Sequence, residues 1–270
     1  MYTPLRKLRL TFGLFLAIAS QQASAIVINL DFSLGGLTAS QQAVFYQAES
    51  FWENTLTGYQ PSVNSDLFSA GVSISASGVT IDGAGGVLGQ AGWRTGWLTG
   101  GYALPDTGAM EFDSADLAWM ETQGTLESVI VHEMAHVLGF GTMWTYNNVY
   151  VAGSGQYTGA AGLAAYQAEF DPLATFVPVG TSNGHWEEAS FGGGLTGYTD
   201  DYGNVWSYEL MTSHLNPPTF ISNTTIQSFV DIGYTVSAVP APAALPLALL
   251  GLGMVGVAYR KRKMAEKAVT

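Results

Sequence analysis

The sequence has no cysteine, and it has only 9 lysines and arginines against 21 aspartates and glutamates in 270 residues. Without cysteine there is no disulfide framework, no thiolate nucleophile, and no thiolate that could cap a metal in a latent form. Between Ile26 and Pro240 the only basic residue is Arg94. A surface so poor in cations repels nucleic acid and anionic membrane, so nucleic acid is excluded as a partner. Such a surface suits an exported protein in a cation-rich medium. There is no internal repeat and no long disordered stretch. The length allows one large domain or two small ones. The hydrophobic share, 47%, suffices for a sizeable core, although part of it belongs to the two ends.

Those ends read as addresses. Arg6, Lys7 and Arg9 precede an apolar run from Leu10 to Ala19, and Ala23-Ser24-Ala25 is a small-x-small cleavage site. Residues 1–25 are therefore expected to be a secretory signal peptide. Ala238 to Tyr259 carries no charge, and Arg260-Lys261-Arg262-Lys263 follows at once. About 20 apolar residues suffice to cross a bilayer as a helix, and the basic cluster would hold its flank in the cytoplasm with the preceding body outward. This tail resembles the C-terminal sorting signals of the PEP-CTERM group of Gram-negative bacteria. Its tripeptide is Pro240-Ala241-Pro242, without the central Glu of the commonest form, and seven residues follow the basic cluster. The resemblance implies a sorting and processing machinery as a partner, an initial anchor in the inner membrane, and a final place at the cell surface or outside. The expected division is 1–25 signal, 26–237 body, and 238–270 sorting or transmembrane segment with a basic tail.

In the body, Ile26 to Phe32 alternates like a strand. Thr38 and Gln41 form a capping box for a long helix over Thr38 to Tyr59, with Gly58 as its stop. Val72 to Ile81 suggests one or two strands, and the glycine-rich stretch to Gly101 suggests turns and short strands. Asp113 or Ser114 caps a short helix to about Glu121. Thr125 caps a mostly buried helix that Gly139 ends. Loops rich in Gly, Tyr and Asn follow, and a last helix fits Thr225 to Ile232. This order predicts an α+β domain with a cleft after the second long helix.

The chemistry concentrates in His132-Glu133-Met134-Ala135-His136. Positions i and i+4 share a helix face, so two imidazoles converge on one zinc ion. Glu133 is then placed as the general base that activates a zinc-bound water for amide hydrolysis. A catalytic zinc needs a third protein ligand. The extended form of the motif would place a His at position 142, where Thr142 stands. His185, His214, Glu169, Asp171, Glu187 and Glu188 remain as candidates. Asp200-Asp201-Tyr202-Gly203-Asn204 groups oxygens in a turn as a calcium site would, and as a solvated acidic turn also would. Trp93, Trp97, Trp144 and Trp186 fit core positions better than a substrate platform.

His132 to Gly141 (HEMAHVLGFG) resembles the leishmanolysin-like metallopeptidases, a branch of the metzincins. In that branch an insertion separates the motif glycine from the third His. Gly184-His185-Trp186-Glu187-Glu188 matches the third-ligand segment, and Glu209-Leu210-Met211-Thr212 matches the methionine turn beneath the metal. The resemblance runs from about Thr107 to Val236. It implies a zinc site of His132, His136 and His185 over Met211, and a metzincin-like zincin fold: a twisted N-terminal sheet, two long helices, an irregular C-terminal subdomain, and the zinc in the cleft between. The activity it implies is that of an exported zinc endopeptidase acting on protein or peptide. The alternative is a non-enzymatic surface or extracellular-matrix protein on the same fold.

Overall fold

The computed structural model describes residues 25–188, 199–200 and 203–237. Residues 1–24 of the expected 1–25 signal peptide, Asp201 and Tyr202 of the acidic turn, and the tail at 238–270 lie outside the described residues. The described residues form a mixed α+β structure with five α-helices and small sheets.

The N-terminal half is a four-stranded sheet with helices against it. Its strands are β1 (Ile28–Asp31), β3 (Val72–Val79), β4 (Gly89–Thr99) and β5 (Tyr102–Asp113), in the order β1-β3-β5-β4. β1 runs parallel to β3 from Ile28↔Val72, and β3 runs parallel to β5 from Ser73↔Thr107. β4 runs antiparallel to β5 from Gly89↔Phe112 to Thr99↔Tyr102, with an irregularity around Arg94, and forms one edge of the sheet. The glycine-rich stretch is thus one arm of a long hairpin rather than turns and short strands.

The helix α1 (Ala39–Thr55) starts with the expected capping box: Gln41 N–H donates to Thr38 Oγ1, and Thr38 N–H donates to Gln41 Oε1. It ends earlier than its apolar spacing suggests, because Leu56–Tyr59 leaves as the strand β2. Phe45 on α1 packs edge-on to Phe112 of β5, with 5.1 Å between ring centres. The second long helix, α3 (Leu126–Val137), lies against α1 and the sheet. There the indole N–H of Trp52, a fully buried α1 residue, donates to Val131 O at 3.0 Å. Thr125 sits at the N-cap of α3 without a side-chain capping bond.

Asp113 does a different job from the one its place in the sequence suggests. The short helix α2 (Leu117–Gln123) receives no side-chain cap. Asp113 Oδ2 instead accepts N–H groups from Ile81, Asp82 and Gly83, and Asp116 Oδ1 accepts from Gly85. The carboxylates tie down the loop before β4, because consecutive backbone donors in a turn converge on an anion.

The C-terminal half is less irregular than expected. It contains the short pair β6 (Gln156–Tyr157) with β7 (Val177–Pro178), and the helices α4 (Ala160–Glu169) and α5 (Asn223–Asp231). The two helices are antiparallel and cap each other. Asp231, the last residue of α5, accepts N–H groups of Ala161 and Gly162 at the start of α4. Glu169, the last residue of α4, accepts N–H groups of Asn223 and Thr224 at the start of α5. Each helix end thus supplies carboxyl oxygens to the unpaired donors of the other. The strand β8 (Tyr234–Val236) then pairs antiparallel with β2, tying the end of the body to its start. Between the halves Trp144 and Trp186 stack with 4.8 Å between ring centres, both fully buried, whereas Trp97 is exposed.

Candidate metal centre

His132 and His136 lie one turn apart on α3, and His185 comes to them from the loop after β7. Their Nε2 atoms form a nearly equilateral triangle, with 3.1 Å between His132 and His136 and 3.0 Å from each to His185. Each ring is turned by a bond at its other nitrogen. His132 Nδ1 meets Leu210 O at 2.7 Å, His136 Nδ1 meets Phe140 O at 2.9 Å, and His185 Nδ1 meets Ser182 Oγ at 3.0 Å. A carbonyl can only accept, so Nδ1 of His132 and of His136 carries the proton, and their Nε2 lone pairs face inward.

Burial reinforces this state. It pushes His132 down to about 3, helped by the neighbouring charge of His136 and opposed by the Leu210 carbonyl. His136 and His185 are lowered by burial as well. The three Nε2 atoms converge at about 3 Å, two of them with lone pairs turned inward, and form a group that could hold a metal ion. Among the described residues it is the one group of three or more His, Asp or Glu side chains close enough to hold a metal. The residues fit the ion.

Glycine brings the third histidine into place. Gly141, just past α3, has φ +71°, and a Cβ there would run into the backbone carbonyl of Gly184. Gly141 thereby lets the chain before His185 press directly on the end of the α3 region. Glu133 is buried beside the triad and reaches Gly89 of β4, where an added Cβ would lie 3.2 Å from Glu133 Oε1. Burial pushes the Glu133 carboxyl up to about 8. His132, Glu133 and His185 open into a cleft of about 480 Å³, whose walls include Gly86 to Gly89, Val129, Leu210 and Thr212 to Leu215.

Other candidates lie apart from the triad. His214 stands in the cleft wall, with Nδ1 3.3 Å from Glu188 Oε1. Glu169 caps α5, and Asp171 accepts from Leu173 N–H in a turn. In the acidic turn both carboxylate oxygens of Asp200 accept from Asn204. Met211 is fully buried, and its carbonyl accepts the N–H of Trp186.

Glu209 escaped the sequence reading as a functional group. Its buried carboxylate accepts the Met211 N–H, the Ser222 N–H and hydroxyl, and the Thr225 hydroxyl. Burial raises it to about 7 against the pull of those donors. Nothing in its local sequence signals this role beyond its place before Met211.

The PEP-CTERM protein-sorting motif matches residues 238–263. The match covers the apolar run and the basic cluster, and it marks the chain for export and membrane-associated sorting of the Gram-negative type. It leaves the body untouched. None of the curated proteins matches the chain. Among the described residues no helix is long and apolar enough to cross a membrane. The expected membrane helix, Ala238 to Tyr259, lies outside them.

Proposed function

We propose that the body is an exported zinc-dependent endopeptidase of the metzincin type, similar to the leishmanolysin-like branch. The observation that carries this reading is the convergence of His132, His136 and His185 at 3.0–3.1 Å, with Glu133 beside them in an open cleft. His132, His136 and His185 would hold the zinc above the turn at Met211. When bound, zinc supplies Lewis acidity, polarising a carbonyl and acidifying water at neutral pH.

The chain's own residues supply the rest. A cation beside Glu133 offsets the burial that raises its carboxyl and favours the ionised form. That carboxylate takes a proton from the attacking water and returns it to the amine nitrogen that leaves. β4 runs into the cleft at Gly89 as an edge strand, and such an edge offers backbone donors and acceptors to an extended peptide. This favours a peptide substrate over other hydrolysable bonds.

Zinc content and hydrolysis of a generic protein, measured on the wild type and on Glu133→Ala and Glu133→Gln, test the reading. Both variants are expected to keep zinc and to lose about 10²–10⁴ in turnover, the range for removal of a general base. Full activity in either variant overturns the mechanism. Zinc without any hydrolysis in the wild type would favour the non-enzymatic surface protein, in line with the sorting tail.

A further inference from the structure

A ring of hydrogen bonds runs beneath the triad. Glu209 Oε2 accepts the N–H of Met211, and Met211 O accepts the N–H of Trp186 at 3.0 Å. The Trp186 indole N–H donates to Thr225 Oγ1 at 2.8 Å, and the Thr225 hydroxyl donates to Glu209 Oε1, closing the ring. Two members of the ring adjoin metal-site groups in the chain. Trp186 follows His185. Met211 follows Leu210, whose carbonyl turns the His132 ring. Glu209, Met211, Trp186 and Thr225 are all fully or almost fully buried.

We propose that Glu209 is the positioning residue of the three-histidine site, setting the orientation of His132 through Leu210 and the placement of His185 through Met211 and Trp186. The inference rests on the metal-binding reading above and adds to it a residue that touches no ligand nitrogen. The physical reason lies in the donor count. Four donors from two separate stretches of chain, Met211 and the Ser222–Thr225 start of α5, point at one carboxylate. A glutamine there has one acceptor oxygen. If that oxygen faces Ser222 and Thr225, its amide donors meet the Met211 N–H; if it faces Met211, three donors lose their acceptor. Either way the turn at 209–212 must shift, and the Leu210 and Met211 carbonyls shift with it. The helix that carries His132 and His136 leaves its own bonds unchanged.

Zinc competition against a chelator on the exported protein tests this, with Glu209→Gln compared to Glu169→Gln. Glu169 is also a carboxylate that caps α5, but it makes no bond within the ring. Glu209→Gln should lose about 10–100-fold in zinc affinity, the usual effect of removing an outer partner of a metal ligand. Glu169→Gln should stay within about 2-fold of wild type even where its melting temperature falls as far. In parallel, ¹⁵N resonances of the metal-free protein should show His132 leaving its single Nδ1–H tautomer only in Glu209→Gln. Should Glu209→Gln fail to fold, Thr225→Val removes one member of the ring at nearly constant volume and should show the same two changes in smaller measure. Zinc affinity and His132 resonances equal to wild type in a folded ring variant overturn the proposal. If the wild type itself binds no zinc, the metal reading falls, and the His132 resonances alone decide whether Glu209 positions the ring.

Discussion

His132 and His136 stand on α3, a helix whose buried face includes Leu126, Val129, Ile130, Met134 and Val137. Their spacing is fixed by the helix itself, and apolar burial against α1 and the sheet holds that helix. His185 stands across the cleft on a stretch without regular structure, and polar contacts hold it: Ser182 on its ring, Gly184 against Gly141, and the Glu209 ring behind Trp186. One wall is therefore robust to local change and the other is not. Losing one methylene on α3 leaves two imidazoles in register, whereas losing one acceptor behind His185 should move the third.

The strongest way to break this contrast is to remove the third histidine, the proposed third ligand. His185→Ala should cut zinc affinity well beyond the ~10–100-fold that changes outside the ligand set produce. His214→Ala should cut it less than about 10-fold, since His214 pairs with Glu188 in the cleft wall. Metal titration of both variants checks this, and loss of zinc only in His214→Ala would reverse the assignment. Next in size is Gly141→Ala. A left-handed non-glycine residue costs about 1–2 kcal/mol, and the new methyl group also pushes on Gly184. We expect lower stability together with weaker zinc binding. Lower stability with unchanged binding would mean that the Gly141–Gly184 contact supports the fold without placing His185.

The same contrast explains what the sequence could tell. The α3 site was legible because helical periodicity, an i, i+4 histidine pair and a terminal glycine all act within a few residues. The capping box of α1 was legible for the same reason. Where distant contacts decide, the reading failed. Leu56 to Tyr59 continues the apolar spacing of α1 but leaves the helix to pair with Tyr234 to Val236. β4 contains glycines that argue against a strand, yet the long partner β5 holds it extended. α4 is Ala-rich with little amphipathic contrast, and its start is fixed by Asp231, 70 residues from Ala161. Glu209 finds its partners Ser222 and Thr225 13 and 16 residues later. Family resemblance alone singles out His185, because the spacing of residues leaves His214 and four carboxylates open.

The smallest effect should come from the reciprocal caps, which are polar but lie outside the ring. Removing a helix N-cap typically costs about 0.5–2 kcal/mol. Glu169→Gln and Asp231→Asn keep part of each cap, so each should fall at the lower end and leave zinc affinity unchanged. The pH dependence sharpens this. Burial is the largest influence on Glu169 and raises it above its ordinary value of 4.5, although Thr224 and Asn223 donors pull the other way. An acid whose folded pKa is raised holds its proton more tightly in the folded state, so ionisation works against folding. The stability that Glu169 contributes is then complete below pH 4.5 and declines as pH rises through the raised folded value. Glutamine does not titrate, so the stability gap between wild type and Glu169→Gln should narrow as pH rises past 4.5. Denaturant melts of both proteins across that range measure the gap. A gap that widens with pH would mean that the N-terminal donors of α5 stabilise the carboxylate more than burial penalises it, and the cap would then act as an anion site like the loop around Asp113.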